Sequence, residues 1–173
     1  MLEMGLISES CKKREQAPRL FGPTLSLRAP ELLWAISRAL LRRKHPFAAR
    51  AVKTLNWAIH KCLLPAEAVV GEGVILEHHA LGIVMHPQVT LGDGCRIYHH
   101  VTLAAECCIG SEYRIVLGRG VTIGAHSIVV AREQHSLRIG DGSVLGAGSV
   151  LTKDVPPGQV WAGNPAHFIR DVS

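Results

Sequence analysis

The sequence predicts a mainly β protein in which short parallel strands coil into a solenoid, preceded by two short α-helices. Three observations support this prediction. From Leu64 onward, apolar and small residues recur with a period of six. Glycine is frequent, at 17 residues, while only 5% of the chain is aromatic, which favours a core of small aliphatic side chains around tight turns. Ahead of the repeat, two stretches space their apolar residues as amphipathic helices do.

The N-terminal third is divided by its prolines. Residues 1–29 show no sustained periodicity and are predicted to form an irregular arm. Residues 30–63 are predicted to form a helical segment. Its first helix is predicted over 31–44, between two prolines, and its second over about 46–64.

Charge is distributed unevenly along the chain. Residues 1–63 hold 12 Lys and Arg against 4 Asp and Glu, whereas residues 64–173 hold 7 against 10. The basic part lacks the aromatic interleaving and glycine motifs of a nucleic-acid module, so we expect no nucleic-acid partner. A solvated basic face is the commonest interpretation of such a charge run, and contact of the basic helices with a membrane surface is the alternative.

The N-terminus and the cysteines together predict the cell compartment of the protein. Lys and Arg follow the apolar residues of the N-terminus, and no apolar run approaches ~18 residues, so we expect neither a signal peptide nor a membrane span. The five cysteines are odd in number and contain no CxxC pair. They are expected to be reduced thiols of a cytoplasmic protein.

Residues 64–156 divide into about fourteen hexads, each suited to a short strand followed by a turn. Three hexads form one coil, which gives four to five coils. Register slips predict loops at 82–84, at 115–116 and within 131–136. Residues 157–173 are predicted to be a C-terminal tail. Clear hexads are VGEGVI, LEHHAL, LGDGCR, IYHHVT, IGSEYR, LGRGVT, IGAHSI, IGDGSV, LGAGSV and LTKDVP.

Two of the ten histidines have matching positions in the repeat. His79 and His100 are both fourth in their hexads and are separated by one 18-residue coil plus the three-residue slip. They are therefore predicted to lie on the same face of adjacent coils, at the strand spacing of about 4.8 Å. Solvated surface histidines explain the pattern equally well.

Two segments resemble a known family. HHALGIVMHPQVTLGDGCRIYHHVTL (78–103) resembles the part of serine acetyltransferases that contains the catalytic histidine. IGDGSVLGAGSVLTKDVPPGQVWAGNPA (139–166) resembles the closing coils of hexapeptide acyltransferases. Helices followed by LPAEAVVGEG are also similar to short serine-acetyltransferase-like proteins among surface-polysaccharide enzymes. The resemblance implies a left-handed parallel β-helix, a homotrimer, and an O-acetyltransferase that uses acetyl-CoA without a metal.

The resemblance also implies catalytic residues. It aligns the catalytic histidine with His79, although an alignment anchored on VGEGVIL selects His78. A neutral imidazole is a suitable general base for an acceptor hydroxyl, which then attacks the acetyl thioester directly. His100 would position the acceptor or support the base. Glu77 would orient His79, because residues i and i+2 share a strand face, but a surface glutamate is an equally good interpretation.

For the donor, the resemblance implies small residues that let pantetheine lie along the coils between two subunits, and a lysine near the CoA phosphates. Each position is also explained by a turn residue or, for the lysine, by a solvated side chain. By position these residues are Ala105, Gly124, Ala125, Gly146, Ala147 and Lys153.

The acceptor-recognition pattern departs from the family. Serine-specific members carry an aspartate about fifteen residues before the catalytic histidine, where this chain has Leu63 or Leu64. They also carry Arg-His-Pro in the loop where this chain reads Tyr-Arg-Ile at 113–115. A saccharide hydroxyl is therefore the predicted acceptor, with serine as the alternative.

Two other interpretations remain open. The γ-class carbonic anhydrases, which share the fold, bind zinc through three histidines, and this chain offers several in one region. A silent scaffold that keeps the coils would bind no acetyl-CoA. The candidate zinc ligands are His79, His86, His99, His100 and His126.

Overall fold

The computed structural model describes residues 29–172. The predicted arm over 1–29 therefore lies outside the described residues except for Ala29. Two helices come first, α1 at Ala29–Arg42 and α2 at Pro46–His60. A solenoid of short parallel strands follows, so the predicted order of two helices and then a mainly β coil is confirmed.

The helices join the solenoid through buried polar contacts. In α1, the buried Trp34 donates its indole N–H to the carbonyl of Pro65 at 2.8 Å. In α2, the buried Asn56 donates to the carbonyl of Pro30 at 2.9 Å, which holds the two helices together. Helix α2 ends earlier than predicted because Lys61 adopts a left-handed conformation with φ of 55°. Leu63 then bridges to Val84 of the first coil.

Three flat sheets form the faces of the solenoid. The first face consists of β1 (Val69–Val70), β4 (Val89–Leu91), β7 (Ile115–Leu117) and β10 (Leu137–Ile139). The second consists of β2 (Ile75–Leu76), β5 (Arg96–Ile97), β8 (Thr122–Ile123), β11 (Val144–Leu145), β13 (Gln159–Gly163) and β14 (Ala166–Asp171). The third consists of β3 (Val84–Met85), β6 (Thr102–Ala105), β9 (Ile128–Ala131) and β12 (Val150–Leu151).

Buried aliphatic side chains stack in columns through the coils. Leu76, Ile97, Ile123 and Leu145 pair from strand to strand on the second face, and each is at most 1% exposed. Each is the first residue of its hexad, so the side chains that point into the core recur with the six-residue period. Such a column is continuous, because each residue has a neighbour one coil above or below it.

Two predicted loops are displaced in the structure. Leu76 pairs with Ile97 and Val84 pairs with Thr102, so the three extra residues lie between Leu76 and Val84 rather than at 82–84. A 3₁₀ turn at Glu77–Ala80 accommodates them. Residues 115–116 belong to β7, and the extra length falls in the preceding loop, 106–114. The hexad IGSEYR is therefore part of this loop, while the third predicted slip matches residues 132–136.

The last residues close the end of the solenoid. Strand β13 pairs in parallel with β11, and β14 returns antiparallel to β13, so the predicted tail adds a hairpin to the second face. Trp161 on β13 is 8% exposed and covers the last coil.

Candidate active site

Unusual backbone conformations gather at one corner of the solenoid, between its second and third faces. His78, His79 and Ala80 have φ of 52°, 58° and 57°, and His100 and His126 have φ of 55° and 59°. Left-handed conformations cost an L-residue roughly 1–2 kcal/mol each. Strain of this kind concentrates at functional sites, so this corner is the candidate active site.

The register at the corner differs from the prediction for His79 and His100. The N–H of His100 donates to the carbonyl of Leu81 at 2.8 Å. In the next coil, the N–H of His126 donates to the carbonyl of His99 at 3.1 Å. His100 is therefore the equivalent of Gly82 in the strand register, and not of His79 as residue counting had assumed. The 3₁₀ turn shifts the first coil by three residues at this point.

Gly82 leaves space for the His100 ring. Its φ is 67°, and a Cβ placed on it would collide with that ring. Gly94 has nearly the same φ, 68°, but a Cβ there would meet nothing. These two glycines form a matched pair. Alanine at either position would have to adopt an unfavourable positive φ, but only at Gly82 would the added Cβ contact a side chain of the corner.

We expect Gly82→Ala to lower activity because the new methyl group displaces the His100 ring. Both Gly82→Ala and Gly94→Ala should cost roughly 1 kcal/mol of unfolding free energy through their positive φ. Only Gly82→Ala should change turnover. Urea unfolding and steady-state kinetics on both variants measure this difference. Equal activity in the two variants would show that the position of His100 does not matter.

Four histidine rings form a contact group that we call the histidine cluster: His78, His99, His100 and His126. The rings of His78 and His99 meet edge-on, with centroids 4.7 Å apart. His100 and His126 stack at 4.7 Å with an interplanar angle of 17°. Among residues 29–172, His79 takes part in no such ring contact and is exposed on the same turn.

His99 is the half-buried centre of the histidine cluster. Its Nδ1 is buried and has no hydrogen-bond partner among residues 29–172. Burial lowers the pKa of His99 below its ordinary value, and the neighbouring His78, His126 and His100 lower it further. The lowered pKa favours the neutral ring, in which one nitrogen can accept a hydrogen bond. An unpaired buried nitrogen is unusual in a folded protein and fits a place where a polar ligand binds.

Glu77 lies beside an arginine of the next coil. Its Oε1 is 3.6 Å from Nε of Arg96. The strand alternation that placed Glu77 on the same side as His79 does not apply here, because both residues lie in the 3₁₀ turn. For the same reason, strand alternation gives no basis for choosing between His78 and His79 as the general base.

The residues predicted to line the donor site fall in two places. Gly124, Ala125, Gly146 and Ala147 occupy the same corner in the coils that follow His99 and His100. Two of them also have a packing role, since a Cβ on Gly124 would meet the backbone of Ala147 and one on Gly146 would meet Ala162.

Ala105 and Lys153 lie away from that corner. Ala105 ends β6, where it pairs with Ala131. Lys153 follows β12, and its Nζ lies 5.2 Å from the ring centroid of Trp161. Both are therefore on the third face or just beyond it.

His99 and His126 join the corner although the sequence placed them only among candidate zinc ligands. His126 is fourth in IGAHSI, as His100 is fourth in IYHHVT, so the repeat position was the available signal. Within residues 29–172, no group of three His, Cys, Asp or Glu side chains is arranged to hold a metal ion. The zinc interpretation therefore gains no support from the structure.

The loop 106–114 lies at the far end of the third face. Strand β6, four residues or about 13 Å long, separates it from His100. Gln88 and Ser111 hold the loop through a hydrogen bond from the Gln88 amide, while Cys108 and Ile109 are exposed.

Comparisons with known proteins agree with the fold. A family model described as "Hexapeptide repeat of succinyl-transferase" matches residues 114–153. A serine acetyltransferase of Helicobacter pylori is 30% identical over 80% of this chain and 78% of its own length. Serine acetyltransferase 2 of Arabidopsis thaliana is 34% identical over 83% of this chain. The chain spans only 41% of that plant relative and 43% of a similar rice protein.

Two further matches are proteins whose names mention a saccharide acceptor or coenzyme A. A galactoside O-acetyltransferase of Escherichia coli is 38% identical over 54% of this chain and 49% of its own length. A solved serine acetyltransferase from Brucella abortus, in complex with coenzyme A, has a TM-score of 0.75 and 25% identity. That match covers 82% of this chain and 55% of the other.

Proposed function

The chain belongs to the serine acetyltransferase family of hexapeptide-repeat proteins, and we propose that it transfers an acetyl group from acetyl-CoA to a hydroxyl group. The observation that supports this most directly is the histidine corner. The corner combines a strained turn, exposed histidines and a half-buried one with a lowered pKa, within the segment 78–103 that resembles the catalytic part of serine acetyltransferases.

In this proposal His79 is the general base. It is exposed on the turn, where an acceptor hydroxyl can reach it. The imidazole removes the hydroxyl proton while the oxygen attacks the thioester carbonyl carbon, which gives a tetrahedral intermediate. Collapse of that intermediate breaks the carbon–sulfur bond, and the proton passes to the leaving CoA thiolate. The histidine cluster, with the neutral His99 at its centre, borders the acceptor and positions it.

For the donor, the proposal uses the small residues of the same corner. Ala125 is half-buried and Ala147 is exposed, so the coil surface beside the histidines has no bulky side chain at either position. A pantetheine chain needs such a surface to approach the backbone closely. Coenzyme A is the ligand of the Brucella relative, and Lys153 remains the proposed contact for its phosphates.

A homotrimer completes this proposal. In one chain, the histidine corner and loop 106–114 lie at opposite ends of β6, about 13 Å apart. The resemblance assigns acceptor recognition to that loop. A loop from a neighbouring subunit can meet the corner of the first, so one site is formed between two chains.

Serine is the acceptor that the comparisons favour, because most of the relatives described above are named serine acetyltransferases. They therefore support the serine alternative better than the saccharide predicted from the sequence. A saccharide remains the second candidate for two reasons. One relative is a galactoside O-acetyltransferase. Leu64, at 1% exposure, and Leu63 offer no carboxylate to a serine ammonium group.

Thiol release from acetyl-CoA separates these candidates. We expect saturable turnover with free serine, and less or none with galactosides bearing free hydroxyls. The reverse ranking would replace serine with a saccharide and leave the transfer chemistry intact. Absence of both thiol release and acetyl-CoA binding would instead identify a scaffold and reject the proposed activity.

A further inference from the structure

Left-handed residues form a column at the corner between the second and third faces. Backbone hydrogen bonds from one turn to the next set their register. The column contains, in successive coils, Gly82, His100, His126 and Gly148. Their φ values are 67°, 55°, 59° and 68° in that order. Glycine adopts this conformation readily, whereas a residue with a Cβ is destabilised by it. The two positions between the glycines therefore carry imidazoles although glycine would fit the backbone better.

The ring of His126 is the last ring in this column. One of its faces stacks on the ring of His100, with centroids 4.7 Å apart and 17° between the planes. Its other face is turned towards the next coil, where a Cβ built on Gly148 would meet no other described residue within 4 Å. Ala147 in that coil is exposed and adds only a methyl group. Because His126 is itself exposed, a ligand can reach the space beyond its ring.

His126 also lies where the chemistry of the corner changes. The two coils before it supply His79 and the other rings of the histidine cluster, beside which the proposed function places the acceptor. Its own coil and the next supply the small donor-side residues Gly124, Ala125, Gly146 and Ala147. Of the four rings in the cluster, that of His126 comes from a coil that also contributes to the donor surface. His126 therefore lies between the acceptor hydroxyl and the donor thioester of the proposed reaction.

We propose that His126 is a further catalytic residue, which donates a ring N–H to the carbonyl oxygen of the thioester. This role rests on the proposed acetyl transfer. The carbonyl oxygen becomes negative when the acceptor oxygen attacks the carbonyl carbon, and it becomes a carbonyl again when the carbon–sulfur bond breaks. A donor aimed at that oxygen stabilises the charged state more than the ground state. An imidazole carries at least one N–H whether it is neutral or protonated, so His126 keeps its proton throughout.

The spacing of the coils allows His79 and His126 to act on one intermediate. Gly82, three residues after His79, is two coils from His126, which corresponds to about 9.6 Å along the solenoid. A tetrahedral intermediate between the two imidazoles needs a hydrogen bond of about 2.9 Å on each side, in addition to its own width. Since the ring of His126 stacks on that of His100 in the coil before, it lies nearer to His79 than its own backbone does.

Two substitutions of the same residue test this hydrogen bond in the full chain. His126→Gly removes the ring and suits the positive φ, while His126→Asn keeps an N–H donor on a residue that tolerates this conformation. We expect His126→Gly to lower kcat by about 10² to 10³, the usual loss for one donor to an oxyanion, with little change in the KM for acetyl-CoA. His126→Asn should recover about tenfold or more of that loss, because its amide still donates.

The matched control is Lys44→Gly. Lys44 is exposed between α1 and α2 with a φ of 62°, so this change also suits a positive φ but should leave kcat and KM unchanged. Thiol release from acetyl-CoA is measured with serine and with a galactoside. If the unmodified protein turns over, full kcat in His126→Gly, or a His126→Asn as slow as His126→Gly, would overturn the role of His126 and leave the proposed function intact. No turnover by the unmodified protein with either acceptor would reject the proposed function and this role together.

Discussion

Replacing Ile123 by alanine should destabilise the protein by about 2–5 kcal/mol, because the substitution opens a cavity in the middle of a continuous aliphatic column. Ile123 is fully buried and pairs with Ile97 on one side and Leu145 on the other. The residues above and below it are held by their own strands. They therefore cannot collapse into the space that the lost methyl and methylene groups leave.

The matched control is Ile109→Ala. Ile109 is 69% exposed in the loop 106–114, so removal of the same atoms should change the unfolding free energy by less than about 0.5 kcal/mol. Urea unfolding at one protein concentration measures both variants, since an oligomer is stabilised by mass action. Similar losses in the two variants would contradict the assignment of Ile123 to the core.

The six-residue period predicted these inward positions well, for a physical reason. In a flat strand, the direction of each side chain is fixed by its place in the repeat, so Ile97 and Ile123 can be assigned to the core from spacing alone. The period could not assign IGSEYR. Ile109 and Gly110 fit the first two positions of a hexad, yet the segment 109–114 forms no strand and remains a loop.

The sequence indicated which segment holds the histidines of the corner, but not how these histidines contact one another. The register of His79 and His100 rested on counting residues, and counting cannot show where an insertion is accommodated. The structure accommodates it in the turn 77–80, through three consecutive left-handed residues. His100 consequently contacts His126 rather than His79. The contact between His78 and His99 also depends on this turn, so no spacing rule reveals it.

The turn allows a sharp test of the proposed base. His78 and His79 are adjacent, exposed and left-handed, with φ of 52° and 58°. Asparagine adopts this conformation more readily than most residues and cannot act as a general base. His78→Asn and His79→Asn therefore impose nearly the same backbone change, and each removes one imidazole.

We expect His79→Asn to lower kcat by about 10² to 10⁴, the usual contribution of a general base, with little change in the KM for acetyl-CoA. His78→Asn should have a smaller effect that acts through its contact with His99, and it should appear mainly in the KM of the acceptor. Both variants must first show the molecular mass and unfolding profile of the unmodified protein. A fully active His79→Asn beside an inactive His78→Asn would move the base to His78. That imidazole touches the neutral His99, so the acceptor proton would then be removed within the histidine cluster rather than at its exposed edge.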